Sequence, residues 1–235
     1  MRKTAVLVLV SCMVGSGAYA ADASPRFKAT FHLTYLSHQP GVSTGLTTLM
    51  TWSDPRAPAG VPKVIKKIRL RFQPGTRFDT SALPICRASD QVIKSRGASA
   101  CPSRSTLGSG STVGVFASGA QFTTKVTLFN ARGQIIVLVT LNGAPVTEFR
   151  DQVQRDTIIV KPVLPAGVAL KQLALRVDPH STGRGAAQKA YMRTPPTCPT
   201  TGRWTTVGTF TYADRSSRTL TSATPCRAAR RGRSR

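Results

Sequence analysis

Trp204-Thr205-Thr206-Val207-Gly208-Thr209-Phe210-Thr211-Tyr212 alternates along its whole length. Trp204, Thr206, Gly208, Phe210 and Tyr212 fall on one face; Thr205, Val207, Thr209 and Thr211 fall on the other. A period of two belongs to a β-strand, and aromatic and β-branched residues suit a pleated, half-buried surface. The chain turns near Asp214-Arg215 and returns through Thr219-Leu220-Thr221, which predicts a hairpin. Cys198 and Cys226 stand at its open end, where a bridge would tie the two strands.

Other stretches repeat this pattern. Phe27 to Tyr35 places Phe27, Ala29, Phe31, Leu33 and Tyr35 on one side. Gly45 to Trp52 is Thr-rich and of similar length, and Val64 to Phe72 aims Ile68, Leu70 and Phe72 one way. Thr123 to Phe129 and Gln134 to Leu141 predict a hairpin turning on Asn130-Ala131-Arg132-Gly133, with Gly133 free to take positive φ. Ile135 to Val139 is apolar without a break, so that strand should be central and covered on both faces. Asn142-Gly143 is a further turn signal. Thr157 to Val160 and Leu173 to Val177 read as short strands. Ser89 and Asp90 suit the start of one short helix and Gly97 its end. Leu107 to Gly119 is rich in Gly and Ser, and its Gly108-Ser109-Gly110-Ser111 reads as a flexible loop rather than a phosphate cradle, because no Lys follows at P-loop spacing. About ten short strands separated by Gly and Pro predict an all-β, immunoglobulin-like β-sandwich with long loops, two disulfides and at most one short helix. The domain spans 21–226, with a division near Gly108 as the alternative.

Met1-Arg2-Lys3, the apolar run from Ala5 to Val14 and Ala18-Tyr19-Ala20 have the three parts of a secretory signal, predicting cleavage after residue 20. The rival is a lipobox at Leu9-Val10-Ser11-Cys12, which would place a lipid on Cys12. No later stretch reaches the length of a membrane-spanning helix. The mature chain keeps Cys86, Cys101, Cys198 and Cys226. In an exported protein an even set reads as disulfides, and four cysteines permit three pairings. We expect the local pairs Cys86–Cys101 and Cys198–Cys226, each closing a loop for about 3 kcal/mol in the chain-entropy model. Metal binding lacks a C-x-x-C spacing or a nearby His, so neither a metal nor a cofactor is expected.

Leu83-Pro84-Ile85-Cys86, Ala100-Cys101-Pro102 and Gly108-Ser109-Gly110 precede a terminal Pro196-Thr197-Cys198, Trp204 and Pro225-Cys226. In this order of motifs the chain resembles a group of secreted proteins of high-GC Gram-positive bacteria that carries no assigned activity. The resemblance implies a secreted, sandwich-like fold and transfers no functional residue. The group often has Asp-Gly in the final turn, whereas Arg215 follows Asp214 here, which argues for a longer loop.

The formal charge is +24, from 33 Lys and Arg against 9 Asp and Glu. Such an excess favours anionic partners, although GC-rich codon usage also enriches Arg. Two basic features are candidate anion-binding sites. Lys63, Lys67, Arg69 and Arg71 share one strand face, interrupted by Ile65. The tail of 227–235 carries Arg227, Arg230, Arg231, Arg233 and Arg235 and is expected to be disordered. Catalytic signatures are missing: there is no G-x-S-x-G and no H-E-x-x-H. Asp178-Pro179-His180 reads as an ordinary turn, and Asp151 and Asp156 are the acidic pair nearest to a glycosidase arrangement. The first functional reading is a secreted non-enzymatic protein that associates with an anionic cell-envelope polymer or with lipid headgroups, without specific nucleic-acid recognition. The others are a structural or protein-binding module with incidental charge and a hydrolase with an unrecognised site. The oligomeric state is left open.

Overall fold

The computed structural model describes residues 27–183 and 188–227. The segment 1–20 expected to be a secretory signal and Cys12 lie outside these residues, as do Arg230, Arg231, Arg233 and Arg235. The strands are β1 (Lys28–Tyr35), β2 (Leu46–Ser53), β3 (Ile65–Arg71), β4 (Arg77–Phe78), β5 (Thr106–Phe116), β6 (Gln121–Ala131), β7 (Gln134–Leu141) and β8 (Ala144–Gln154). They continue with β9 (Thr157–Val160), β10 (Val168–Val177), β11 (Ser181–Thr182), β12 (Lys189–Ala190), β13 (Met192–Arg193), β14 (Arg203–Tyr212) and β15 (Ser217–Pro225). The one α-helix among the described residues, α1 (Asp90–Arg96), starts at Ser89, whose side chain accepts from the Val92 N–H, and stops at Gly97, as its residues predict. Both local disulfides are formed, Cys86–Cys101 and Cys198–Cys226. Among the described residues no helix is long and apolar enough to cross a membrane.

The chain is mostly β, but the two sheets of an immunoglobulin-like sandwich are not confirmed. Eleven strands form one sheet in the order β1-β2-β10-β5-β6-β7-β8-β9-β3-β14-β15. Every neighbouring pair in it is antiparallel. The long-range pairs β2–β10, β3–β9 and β3–β14 join segments that a sandwich would place in separate sheets, and the sheet curls into a nearly closed barrel. Gly108 lies inside β5, and the stretch expected to be a flexible loop is this strand. Glycine is needed there because β10 approaches closely: a Cβ on Gly108 or Gly110 would run into the carbonyl oxygen of Arg176 or Ala174.

An odd number of antiparallel strands leaves the first and last parallel. Contacts across the seam advance together on both strands. Arg218 Nη1 donates to the Phe27 carbonyl at 2.8 Å, and the Arg227 N–H donates to the His38 carbonyl at 2.8 Å. Between them, side chains of β15 replace a backbone ladder. The Leu33 N–H donates to Ser222 Oγ at 2.8 Å, and that hydroxyl donates to the Leu33 carbonyl at 3.0 Å. The Tyr35 N–H donates to Thr224 Oγ1 at 3.3 Å.

The interior is filled unevenly. Around β1, β2, β3 and β14 it holds edge-to-face aromatic pairs, including Tyr35–Trp204 at 5.4 Å and Trp52–Phe210 at 5.8 Å. Tyr191, Met192 and Phe78 close the end at which β13 pairs with β4. The β5–β8 side is lined by smaller groups such as Thr124, Val126, Val137 and Val139. β7 is covered on both faces, as its apolar run predicts: Ile135 and Val137 point inward, while Ile136 and Leu138 pack outside with Ile93 of α1 and the Cys86–Cys101 bridge.

The seam makes a measurable demand. Thr224→Val keeps the shape but leaves the Tyr35 N–H without its partner, and Ser222→Ala does the same to Leu33. Each is expected to lower unfolding free energy by about 1–3 kcal/mol in urea denaturation. Thr221→Val, on the exposed face of the same strand, is expected to change it by less than about 0.5 kcal/mol.

Candidate functional site

The basic row of β3 depends on a bulge. β3 and β14 pair Lys67 with Thr211 and Ile65 with Tyr212, so the register skips at Lys66. An extra residue in one strand re-aims the side chains beyond it. Ile65 therefore turns into the core, and Lys66 and Lys67 both lie on the solvent side. This corrects the simple alternation from Lys63 to Arg71: Ile65 does not interrupt a basic face, because it is not on that face. Arg69 and Arg71 are exposed and stand opposite Thr209 and Val207. Successive members of the row are about 7 Å apart along the strand. The sequences of β3, β14 and β15 contain no acidic residue, and their outer surface adds the hydroxyls of Thr205, Thr209, Thr211, Thr219 and Thr221.

Lys63 belongs elsewhere. It precedes β3, and its ammonium donates to Asp214 Oδ2 at 2.7 Å and to Ser216 Oγ at 3.1 Å. It also lies 5.7 Å from the centre of the Phe27 ring. The Lys63 ammonium and Ser216 hold the Asp214 carboxyl down at about 2. Asp214 sits in a four-residue loop, longer than a two-residue turn as Arg215 predicts, although Arg215 itself adopts φ 66°. Lys63 is thus a clamp on the last hairpin rather than a member of the basic row.

Three other acids are similarly occupied at the ends of the sheet or beneath α1. Asp90 pairs with Arg150 at 2.8 Å, Glu148 with Lys94 at 3.2 Å and Asp178 with Arg176 at 2.7 Å. Arg227 follows the Cys198–Cys226 bridge and is exposed; its backbone is pinned to His38, and the remaining tail arginines fall beyond the described residues.

No His–acid couple emerges among the described residues. Asp178 binds Arg176, while His180 Nε2 lies 3.0 Å from the Leu107 carbonyl. Gly108 to Ser111 is strand rather than phosphate loop, and Asp156 sits in the β8–β9 turn. No group of three or more His, Cys, Asp or Glu is placed to hold a metal among the described residues.

Asp151 has a different setting. Thr147, Phe149 and Asp151 alternate inward along β8 and line an apolar cavity of about 130 Å³ within the barrel. Asp151 is 6% exposed, and its Oδ1 has no hydrogen-bond partner. Burial pushes its carboxyl well above the usual carboxylate range, and the same burial, with Asp151 as a minor cause, pushes the Tyr191 hydroxyl up. The alternation that aims Asp151 inward was present in the sequence, but which face of β8 lay inside was not. Asn130 was also missed: read as a turn residue, it is fully buried in β6, and its Nδ2 donates to the carbonyls of Thr80, Leu83 and Pro84.

A carboxyl whose folded value is raised binds more protons in the native than in the unfolded state. Between the ordinary value, about 4, and the raised one, stability therefore falls as pH rises. Asp151→Asn is expected to melt at least about 3 °C above wild type at neutral pH, the shift that roughly 1 kcal/mol produces in a domain of this size. That difference is expected to shrink as pH falls towards about 4, which thermal melts across pH will show. Comparison of the chain with family models, curated proteins and solved structures finds no match in any of the three.

Proposed function

We propose that the protein is exported, loses residues 1–20, and associates without catalysis with an anionic polymer or lipid headgroups of the cell envelope through the outer face of β3 and β14. The observation that carries this reading is the row Lys67, Arg69 and Arg71, on strands free of acidic residues. None of the three takes part in an ion pair with the described acids, whose partners are Lys63, Lys94, Arg150 and Arg176. A rigid sheet holds the row at a fixed spacing, so little side-chain placement is left to the moment of binding. Arginine adds a planar fork that meets carboxylate or phosphate with two hydrogen bonds. The surrounding threonine hydroxyls supply further donors. The disulfides support an oxidising compartment. Export itself rests on the residues of the N-terminal segment.

The test is co-sedimentation of the mature chain with purified cell envelopes across a salt series. Binding is expected at about 50 mM NaCl and to fall by at least about tenfold at about 500 mM, because exposed charges are screened within a few ångströms there. The triple variant Lys67→Ser, Arg69→Ser, Arg71→Ser is expected to bind at least about tenfold more weakly at low salt. Deleting 228–235 tests the contribution of the tail separately. Salt-insensitive binding would instead favour a protein-binding module with incidental charge, and no binding at low salt would sink the envelope reading.

A further inference from the structure

The barrel interior offers a second site, independent of the basic outer face. Its cavity of about 130 Å³ is close to the size that accepts a benzene-sized molecule in an engineered apolar core. The walls include Ile68, Leu70, Val126, Val137 and Leu170. The aromatic plug of Tyr191, Met192 and Phe78 closes one end. The other end lies between the β5–β6 hairpin, the start of β8 and the loop 161–167. Three large apolar side chains are left in solvent there: Phe116 at 45%, Val146 at 49% and Val163 at 54% exposure. Phe116 and Phe122 stack on one another at 4.8 Å, and the Phe122 ring lies over Gly114, where no side chain larger than hydrogen would fit. The entrance is therefore apolar, as is most of the wall.

One wall group breaks the pattern. Asp151 stands about 17 Å down β8 from Val146, towards the closed end, and its Oδ1 is buried without a partner. A buried polar atom with no hydrogen bond is costly, and proteins rarely keep one that nothing satisfies.

We infer that the barrel lumen is a binding site for a slender apolar molecule ending in a hydroxyl, whose hydrocarbon body enters past Phe116, Val146 and Val163 and whose hydroxyl meets the Asp151 carboxyl at depth. A hydroxyl both donates and accepts, so it completes the carboxyl in its neutral form without bringing a second charge into the core. An amine would require an ion pair in an apolar lumen, with the desolvation of two charges. The longer the aliphatic body, the more wall it covers on the way to the entrance.

The test uses isothermal titration of the folded, oxidised chain with n-hexanol, n-decanol and n-hexylamine. Saturable one-to-one binding of n-hexanol with a dissociation constant of about 1 mM or tighter is expected, with n-decanol tighter again by at least about tenfold. Val137→Phe, which fills the lumen from a central strand, is expected to abolish binding while retaining a cooperative melt. Asp151→Leu removes the polar end and is expected to weaken n-hexanol about tenfold. The absence of saturable binding to wild type would overturn the proposal. So would alcohol binding that survives in Val137→Phe, which would place it outside the lumen. Unchanged affinity in Asp151→Leu, or tighter binding of n-hexylamine than of n-hexanol, would overturn the assignment of the hydroxyl to Asp151. Both variants are also read by the melt, so one that merely fails to fold is recognised by its lost transition, and the wild-type titrations still decide the proposal.

Discussion

Eleven antiparallel strands cannot close on themselves with an antiparallel ladder, and the rest of the structure follows from how the chain meets that constraint. The first and last strands run in the same direction. The free edge of β1 would otherwise present unpaired N–H and C=O groups, the feature that makes edge strands prone to aggregation. Ser222 and Thr224 project from the inward face of β15 and take up those groups directly. The Cys198–Cys226 bridge and the Lys63–Asp214 pair fix the two ends of the β14–β15 hairpin, so that its hydroxyls stay over β1. Closure is thus a matter of side chains, held in place by covalent and ionic clamps at the ends of one hairpin.

Curling one sheet rather than stacking two leaves an interior wider than small side chains can fill. On the side of β1, β2, β3 and β14, aromatic rings span the gap and pack edge to face. On the side of β5 to β8, glycine, threonine and valine dominate the inner wall, and a void remains. The small residues there answer another demand: β5 lies so close to β10 that Gly108 and Gly110 have no room for a Cβ. The outer face of β6 and β7 is completed separately by α1 and the Cys86–Cys101 loop, and for that reason β7 is apolar on both faces.

Charge is arranged by the same geometry. The few carboxylates sit at strand ends, under α1 or inside the lumen, while the outer surfaces of β3, β14 and β15 carry no acid and are mostly basic and hydroxyl side chains. The bulge at Lys66 gives β3 two jobs: Ile65 and Ile68 are both returned to the core, and the two lysines between them are turned to solvent. A strand with strict alternation would have buried a lysine or exposed Ile65.

Alternation, turn chemistry and cysteine spacing are local properties, and they were legible in the chain alone. The faces of β1 and β14, the coverage of β7, the cap of α1 at Ser89, positive φ at Gly133 and both local disulfides follow from them. Pairing between distant strands is not local. Nothing near Leu46 or Ile65 announces that β2 will meet β10, or that β3 will lie between β9 and β14, and those pairs decide between a sandwich and one curled sheet. The glycines of β5 looked like a loop because the reason for them is the backbone of a strand some sixty residues away. Asp151, read beside Asp156 as the acidic pair nearest to a glycosidase arrangement, did not reveal itself as a lumen residue for a comparable reason. A period of two divides a strand into two faces, but only the assembled barrel determines which of them is shut away from water.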